Sequence, residues 1–252
     1  MKVSVLASGS RGNSVLVRSG DKAILIDLGI SARRLKERLD GAGESLRGLE
    51  GIFISHEHTD HISGLGNFHW EEPVPIFCSS GTGEELRGIG MNNLVMIKAG
   101  ERVELNGFSV QGFRVPHDAK EPLGFIIESG GVRLVVATDL GSVNTLVRER
   151  LKSAQVLIIE SNHDLKMLKE GAYPWELKQR IMSRYGHLSN SVCAGVLSEV
   201  CGSGLIEVVL GHLSENNNTP ELAYRASREV LPSRIKIHLT SQRACGPVIK
   251  LE

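Results

Sequence analysis

Cysteine is scarce in this sequence, and the few present do not pair. Cys78, Cys193, Cys201 and Cys245 lie far apart with no CxxC step among them. That spacing argues against a disulfide framework and a thiolate zinc site, and leaves buried free thiols as the expected state. An excess of one charge is missing too: 29 basic residues stand against 29 acidic ones, a formal net charge of +0. Such a balance counts against a generic nucleic-acid coat, although a local basic groove leaves no trace in a total. No apolar run approaches the roughly 20 residues of a membrane span. The opening MKVSVLASGSRGNSVLV reads as strand, Gly/Ser turn and strand, without the apolar core of a secretory signal. A cytoplasmic protein is expected.

What is present is a chain of 252 residues, 41% of them apolar, enough for a sizeable core. Short apolar runs alternate with turns through the first half: VSVLA, SVLVRS, KAILIDLG, GIFIS, PIFCS, LVMIKAG, ERVEL, FSVQGFRV, LGFIIESGG and VRLVVATD. Several are nearly continuous, as strands buried on both faces are. The Asn106-Gly107 step should close a hairpin. Helical patterns fall at SARRLKERL, from near Thr82, and at VNTLVRERLKS. The second half repeats the alternation, with strands at VLIIES, IEVVLGHLS and, as the last one, RIKIHLT. Helices are expected at PWELKQRIMSRY, SNSVCAGVLSEVC and TPELAYRASREVL. No linker, low-complexity segment or repeat interrupts this, so one domain over residues 1–252 is expected. Strands with helices interleaved in both halves suggest an α/β/β/α sandwich.

The chemistry concentrates in FISHEHTDHISG, residues 53–64. His56, His58, Asp60 and His61 crowd the end of what reads as a buried strand ending near Ser55, where α/β folds place their sites. His56 and His58 are two apart, so in an extended segment they point the same way and can share an ion. Asp60 and His61 follow where the chain turns and can reach a second one. Imidazole with carboxylate suits Zn, Mn or Fe rather than Ca or Mg. The bland reading, a polar helix start, leaves four ligand-type side chains in six positions without a purpose.

HEHTDH resembles the HxHxDH signature of the metallo-β-lactamase superfamily, whose fold is an α/β/β/α sandwich. The resemblance implies three further ligands in order: His117 in FRVPHDAKEPLGF, Asp139 in VRLVVATDLG and His212 in VVLGHLSENNN. It implies that His56, His58 and His117 hold one ion, and that Asp60, His61 and His212 hold a second. Asp139 would bridge them. Asp60 counts both as a ligand and as a catalytic carboxylate. Two ions about 3.5–4 Å apart share a water, lower its pKa and clamp the attacked group.

Details select a branch. His58 stands where di-iron oxygen reductases carry a Glu. The gap from Asp139 to His212, 212 − 139 = 73 residues, is too short for an inserted β-CASP module. Inside that gap, ESNHD (160–164) and RYGHLSNSVCAGVL (184–197) resemble the paired motifs of phosphodiesterases and tRNA-processing nucleases. There, a His ahead of such a helix protonates the leaving oxygen, which makes His187 the candidate general acid. Capping of the helix together with Ser189 is the alternative role for His187. His163 would contact substrate, support Asp139 or be structural. LASGSRGNSVLV, SHEHTDHISGL, PHDAKEPLGF and GHLSENNNTPELA resemble the YycJ/WalJ-like group of small metal-dependent hydrolases, which implies a 5′-to-3′ exonuclease on DNA.

Around this set, Ser10 and Asn13 of the SGSRGNS loop and Asn216 beside His212 are candidate substrate contacts. A tight turn at Gly9 and Gly12, and a polar turn at Asn216–Asn218, explain the same residues structurally. The run Arg33-Arg34-Lys36-Arg38 reads as a solvated helix face. The one from Lys166 through Arg184 could track a phosphate backbone. His69 and His238 carry no expected role. The cofactor expected is two divalent ions, Zn or Mn with Fe as a further option, and the partner is nucleic acid, DNA before RNA. Three other readings stay open: a cyclic-nucleotide-type phosphodiesterase, a thioester or lactone hydrolase, and an inactive metal-binding regulator.

Overall fold

The computed structural model describes residues 1–67, 74–202 and 204–251, so His69 lies outside the described residues. The chain divides into two compact units: Met1–Arg114 with Ala119–Val132 and Ser241–Glu252, and Val115–Asp118 with Arg133–Thr240.

The first unit opens with three antiparallel strands, β1 (Lys2–Ala7), β2 (Ser14–Ser19) and β3 (Lys22–Ile26). Helix α1 (Ala32–Ala42) follows. Ser31 starts it by accepting a hydrogen bond from the Arg34 N–H, Gly43 ends it in the left-handed conformation, and Leu35 and Leu39 face inward. Of its basic residues Arg33 and Lys36 are exposed, the solvated face expected of that run, whereas half-buried Arg34 donates to the Arg11 carbonyl at 3.0 Å and the Gln242 carbonyl at 3.3 Å. Then β4 (Leu49–Phe53), β5 (Ile76–Cys78) and β6 (Leu94–Met96) run parallel to β3, separated by α2 (Thr59–Ile62) and α3 (Ser80–Gly88). Strand β4 stops at Phe53 rather than near Ser55, because the Ser55 N–H leaves the ladder for the Asp27 carboxylate at 2.8 Å. Phe53 stacks on Phe77 at 4.6 Å and meets Phe125 edge-on at 5.7 Å, which anchors the strand carrying the histidine cluster. β7 (Arg102–Leu105), β8 (Phe108–Arg114) and β9 (Leu123–Ser129) form an antiparallel meander. Leu105 pairs with Phe108 across the expected Asn106-Gly107 turn, where Gly107 takes φ 88.

In the second unit, β10 (Val132–Ala137), β11 (Val156–Glu160), β12 (Glu207–Gly211) and β13 (Lys236–Leu239) are parallel. The connections carry α4 (Thr145–Lys152), α5 (Leu165–Glu170), α6 (Trp175–Met182), α7 (Asn190–Val200) and α8 (Pro220–Val230). Strands β11 and β12 are buried along their whole length, which is why they read as unbroken apolar runs.

RIKIHLT is not the last strand. A three-residue β14 (Val248–Lys250) pairs antiparallel with β1, too short to show a pattern of its own. The short helices α2 and α5 escape periodicity for the same reason. The strands order as β14-β1-β2-β3-β4-β5-β6 and β13-β12-β11-β10-β9-β8-β7, two mixed sheets of seven. Among the described residues no helix is long and apolar enough to cross a membrane.

Candidate metal centre

Three residues other than glycine adopt positive φ among the described residues: Asp27 at 56°, Asp139 at 56° and His212 at 54°. Each follows the C-terminal end of a parallel strand, and two of them are expected ligands. Asp and His are among the side chains that tolerate this backbone region, and such strain collects at functional sites.

In the first unit the cluster is built around Asp27. Its Oδ1 accepts the Ser55 N–H at 2.8 Å, and its Oδ2 accepts the Ser55 hydroxyl at 2.9 Å and His61 Nδ1–H at 2.8 Å. Ser55 Oγ also lies 3.0 Å from the Nδ1 of His56 and of His61. With Nδ1 engaged in this way, Nε2 is the atom through which either ring would ligate. His56 is buried with its ring centroid 4.6 Å from that of His58 and 4.0 Å from that of His61. Glu57, between them in sequence, faces elsewhere: its carboxylate accepts from Thr82 Oγ1 at 3.1 Å and from the Lys120 N–H at 2.7 Å. That residue ties the loop down and leaves the histidines on the other side.

Asn13 holds the second pair of ligands. Its side-chain amide donates to Asp60 Oδ2 at 3.2 Å and to His61 Nε2 at 3.0 Å, while its backbone N–H donates to the Asp60 carbonyl at 2.7 Å. The approach is close enough that a Cβ on Gly29 would sit 1.6 Å from the Asp60 carbonyl oxygen.

In the second unit the organising group is Glu160, fully buried at the end of β11. Oε1 accepts His187 Nδ1–H at 2.7 Å and His212 Nδ1–H at 2.9 Å, and Oε2 accepts the N–H groups of Leu140 at 2.9 Å and Leu188 at 3.1 Å. Burial by itself would raise this carboxyl; the two imidazoles outweigh it and hold it below the usual carboxylate range. His212 Nε2 then faces Asp139 Oδ1 at 3.4 Å. His117 is buried, donates from Nδ1 to the Gly186 carbonyl at 3.3 Å, and has Nε2 3.9 Å from Asp139 Oδ1. Burial lowers its pKa, favouring the neutral ring. Asp139, Glu160, His187 and His212 offer ligand-type atoms within 4.8 Å of one another.

These arrangements fit divalent ions. In His61 and His212 a carboxylate fixes one ring nitrogen, the arrangement of a metal-ligating histidine; His212 presents the other nitrogen beside Asp139, whereas the Asn13 amide holds that of His61. Asp27 and Glu160 were not among the residues expected from sequence. The signal was there: each is an acid at the end of an otherwise apolar strand, KAILID and VLIIE.

The other expected residues fall in different settings. His187 is partly exposed, with its side chain at 22%. Burial opposes its charge, but the Glu160 carboxylate prevails and its pKa is raised. Ser189 does cap α7, without His187 taking part in the cap bond. His163 is buried, its backbone bridges to Ser189, its carbonyl accepts the Asn190 N–H at 2.8 Å, and burial drops its pKa to about 4. Ser10 is exposed on its turn, which Gly12 and Gly9 close by a 2.9 Å backbone hydrogen bond. Asn216 is exposed and donates to the Tyr173 hydroxyl at 2.9 Å, whereas Asn218 is buried and binds Asn190 and the carbonyls of Ser161 and Asn162. His238 pairs with Glu207 at 2.6 Å in its strand, a structural contact. Of the cysteines, Cys78 and Cys193 are buried and Cys201 and Cys245 half-buried, all as free thiols.

A parallel-strand scaffold that sets out His and Asp ligands on carboxylate supports is the equipment of a metal-dependent hydrolase. A family model described as Beta-lactamase superfamily domain matches residues 22–206, and the chain belongs to that superfamily. Its fold is the metallo-β-lactamase fold, two mixed sheets flanked by helices, as expected from sequence. Within the superfamily it is 34% identical to a Bacillus anthracis protein named Exodeoxyribonuclease YycJ, over 92% of this chain and 89% of that one. It is 32% identical to Exodeoxyribonuclease WalJ of Streptococcus pneumoniae, over 88% of this chain and 85% of that one. A Bacillus subtilis structure, the metallo-beta-lactamase fold protein YhfI, covers 98% of each chain with a TM-score of 0.76 at 18% identity, which shows a shared fold.

Proposed function

We propose that this chain is a metal-dependent exonuclease that shortens DNA stepwise from the 5′ end, with its two units working as one catalytic domain in the cytoplasm. The observation that carries the reading is the likeness along nearly the whole chain to two relatives named exodeoxyribonuclease. In the proposed centre His56, His58 and His117 hold one divalent ion, and Asp60, His61 and His212 hold another with Asp139 between them. Zn or Mn suits this donor set, and Fe would also be accepted. Such ions, when bound, lower the pKa of a water and neutralise charge on the attacked phosphodiester.

The chain's own residues do the rest. Asp27 and Glu160 orient His61 and His212 through their Nδ1 atoms. Asn13 braces the Asp60 carboxylate, a role that fits its burial better than substrate contact. His187 receives its orientation from Glu160 at 2.7 Å and is the partly exposed member of that group, so it is the one able to pass a proton to a departing oxygen. A nuclease needs such a donor because the leaving group is an alkoxide.

The test uses 5′-phosphorylated, 3′-labelled DNA and RNA, single- and double-stranded, with metal-stripped enzyme reloaded with Mn or Zn. Stepwise shortening of DNA from the 5′ end, lost in His56→Ala, is the expected result. Turnover of a small phosphodiester with no polymer cleaved would replace this reading with the cyclic-nucleotide-type alternative.

A further inference from the structure

Between α6 and α7 the chain runs Ser183-Arg184-Tyr185-Gly186-His187, and its backbone is held at nearly every residue. The Arg184 carbonyl accepts the Ser142 hydroxyl at 3.0 Å, and the Tyr185 carbonyl accepts the Asp118 N–H at 3.1 Å. The Tyr185 N–H bonds Ser183 Oγ at 3.3 Å, the Gly186 N–H bonds the Ser183 carbonyl at 3.0 Å, and the Gly186 carbonyl takes His117 Nδ1–H. Gly186 is also packed against α6: a Cβ there would lie 2.2 Å from the Arg180 carbonyl oxygen. The turn therefore belongs to the rigid support of His117 and His187.

From this rigid support two side chains project outward. Tyr185 is 45% exposed, and the Arg184 guanidinium lies over one face of its ring, 4.8 Å from the centroid, so a base would take the other face. Arg184 is itself exposed and has no carboxylate partner among the described residues, in contrast to its neighbour Arg180, which Asp118 engages at 2.5 Å. Singly exposed aromatics are ordinary on a protein surface, so the setting of this one is what matters. Here it is presented by a fixed backbone two residues before His187, beside an uncompensated cation. A ring backed on one face by a guanidinium that has no carboxylate partner among the described residues matches one nucleotide: a base to stack on the second face and a phosphate to neutralise.

We propose that Tyr185 and Arg184 form a stacking platform for the substrate strand, the ring taking a base close to the scissile phosphodiester and the guanidinium the adjoining phosphate. This rests on the exonuclease reading and extends it, for it has a base near the cleaved bond held by stacking, either as an unpaired base or through the open outer face of a terminal pair. Recognition by a π-face and a charge is tolerant of sequence, as an enzyme that removes one nucleotide after another requires.

The experiment compares single-stranded oligonucleotides in which one abasic residue is stepped along the strand from the 5′ end. With the wild-type enzyme, kcat/KM should fall about 10-fold when the abasic residue occupies the position that reaches Tyr185. In Tyr185→Ala the normal strand should already show that loss and the abasic one little more, while Tyr185→Phe retains the discrimination. Arg184→Gln should reduce the slope of log(kcat/KM) against log[salt] by about 0.7, the value for one phosphate of a single strand. If wild-type and Tyr185→Ala enzymes respond alike to every abasic position while still degrading the strand, the platform is refuted and the exonuclease reading stands. If the wild-type enzyme leaves every single strand intact but shortens duplex DNA, the platform falls and the exonuclease reading stands; if it shortens neither, both fall.

Discussion

His61 Nδ1 lies 2.8 Å from Asp27 Oδ2, a bond between residues 34 apart in sequence that the parallel pairing of β3 with β4 makes possible. It decides which nitrogen of His61 is available to an ion. The same carboxylate accepts the Ser55 N–H where β4 ends, so a single acid both terminates the strand and orients the ligand that follows.

Asp27→Asn tests this directly. Asn keeps the shape and tolerates the positive φ at this position, so the fold should survive with an unchanged circular dichroism spectrum. Loss of the carboxylate should weaken metal binding by roughly 10- to 100-fold, the usual cost of removing such a support. Competition titration against a chelator measures it, and wild-type affinity in the variant would refute the role.

The proton-donor role of His187 predicts a dependence on the leaving group. His187→Ala should lower kcat by about 100-fold or more on a phosphodiester with an alkoxide leaving group. With p-nitrophenolate, which departs without a proton, the loss should be much smaller. Equal losses on both would mean that His187 acts by placing groups rather than by donating a proton.

Gly29 has no room for a side chain. Gly29→Ala would drive a methyl group into the Asp60 carbonyl and the Asn13 backbone. Overpacking of this kind costs roughly 1–3 kcal/mol, and here it also displaces Asp60. The expected outcome is a lowered unfolding midpoint in denaturant together with weakened metal binding. Gly41→Ala, in open space within α1, serves as the control: it should leave metal binding unchanged and, as a helix position, move the midpoint upward if at all.

Glu44 should make stability depend on acid pH far from the metal cluster. Burial tends to raise its pKa, but Lys2 at 2.7 Å and Arg18 at 2.8 Å outweigh it, and the net shift is downward. A carboxylate lowered in the folded state stabilises the protein fully above its unfolded pKa and loses that contribution as pH falls through the folded value. Glu44→Gln should therefore lower the thermal midpoint near neutral pH and converge on wild type in strong acid. A difference that persists undiminished in acid would assign the effect to packing instead.

The strands and most helices were legible because their signals are local. VLIIE and EVVLG read as buried strands from composition, and Ser31, Ser189 and Thr219 mark helix starts that the structure confirms as caps. The four-residue α2, the six-residue α5 and the three-residue β14 were not legible, since elements that short complete no period. Sequence also separated the ligand types from their surroundings, because His56, His58, Asp60 and His61 share one strand end and His117, Asp139 and His212 each close an apolar run.

Only the tertiary structure decided what stands behind those ligands. Asp27 reads as an ordinary acid at a strand end until β3 is seen beside β4, where the Asp27 N–H bonds the Phe53 carbonyl at 2.9 Å. Glu160 is likewise mute until β11 pairs with β12 in the register that sets it opposite Gly211, one residue before His212. The physical reason is that a chain's own pattern reports what each strand buries, whereas parallel neighbours are joined by crossovers of many residues and no local signal names the partner. The sequence by itself determined which ligand-type side chains stand at the strand ends and the layers that carry them; strand adjacency decided the carboxylates that orient them.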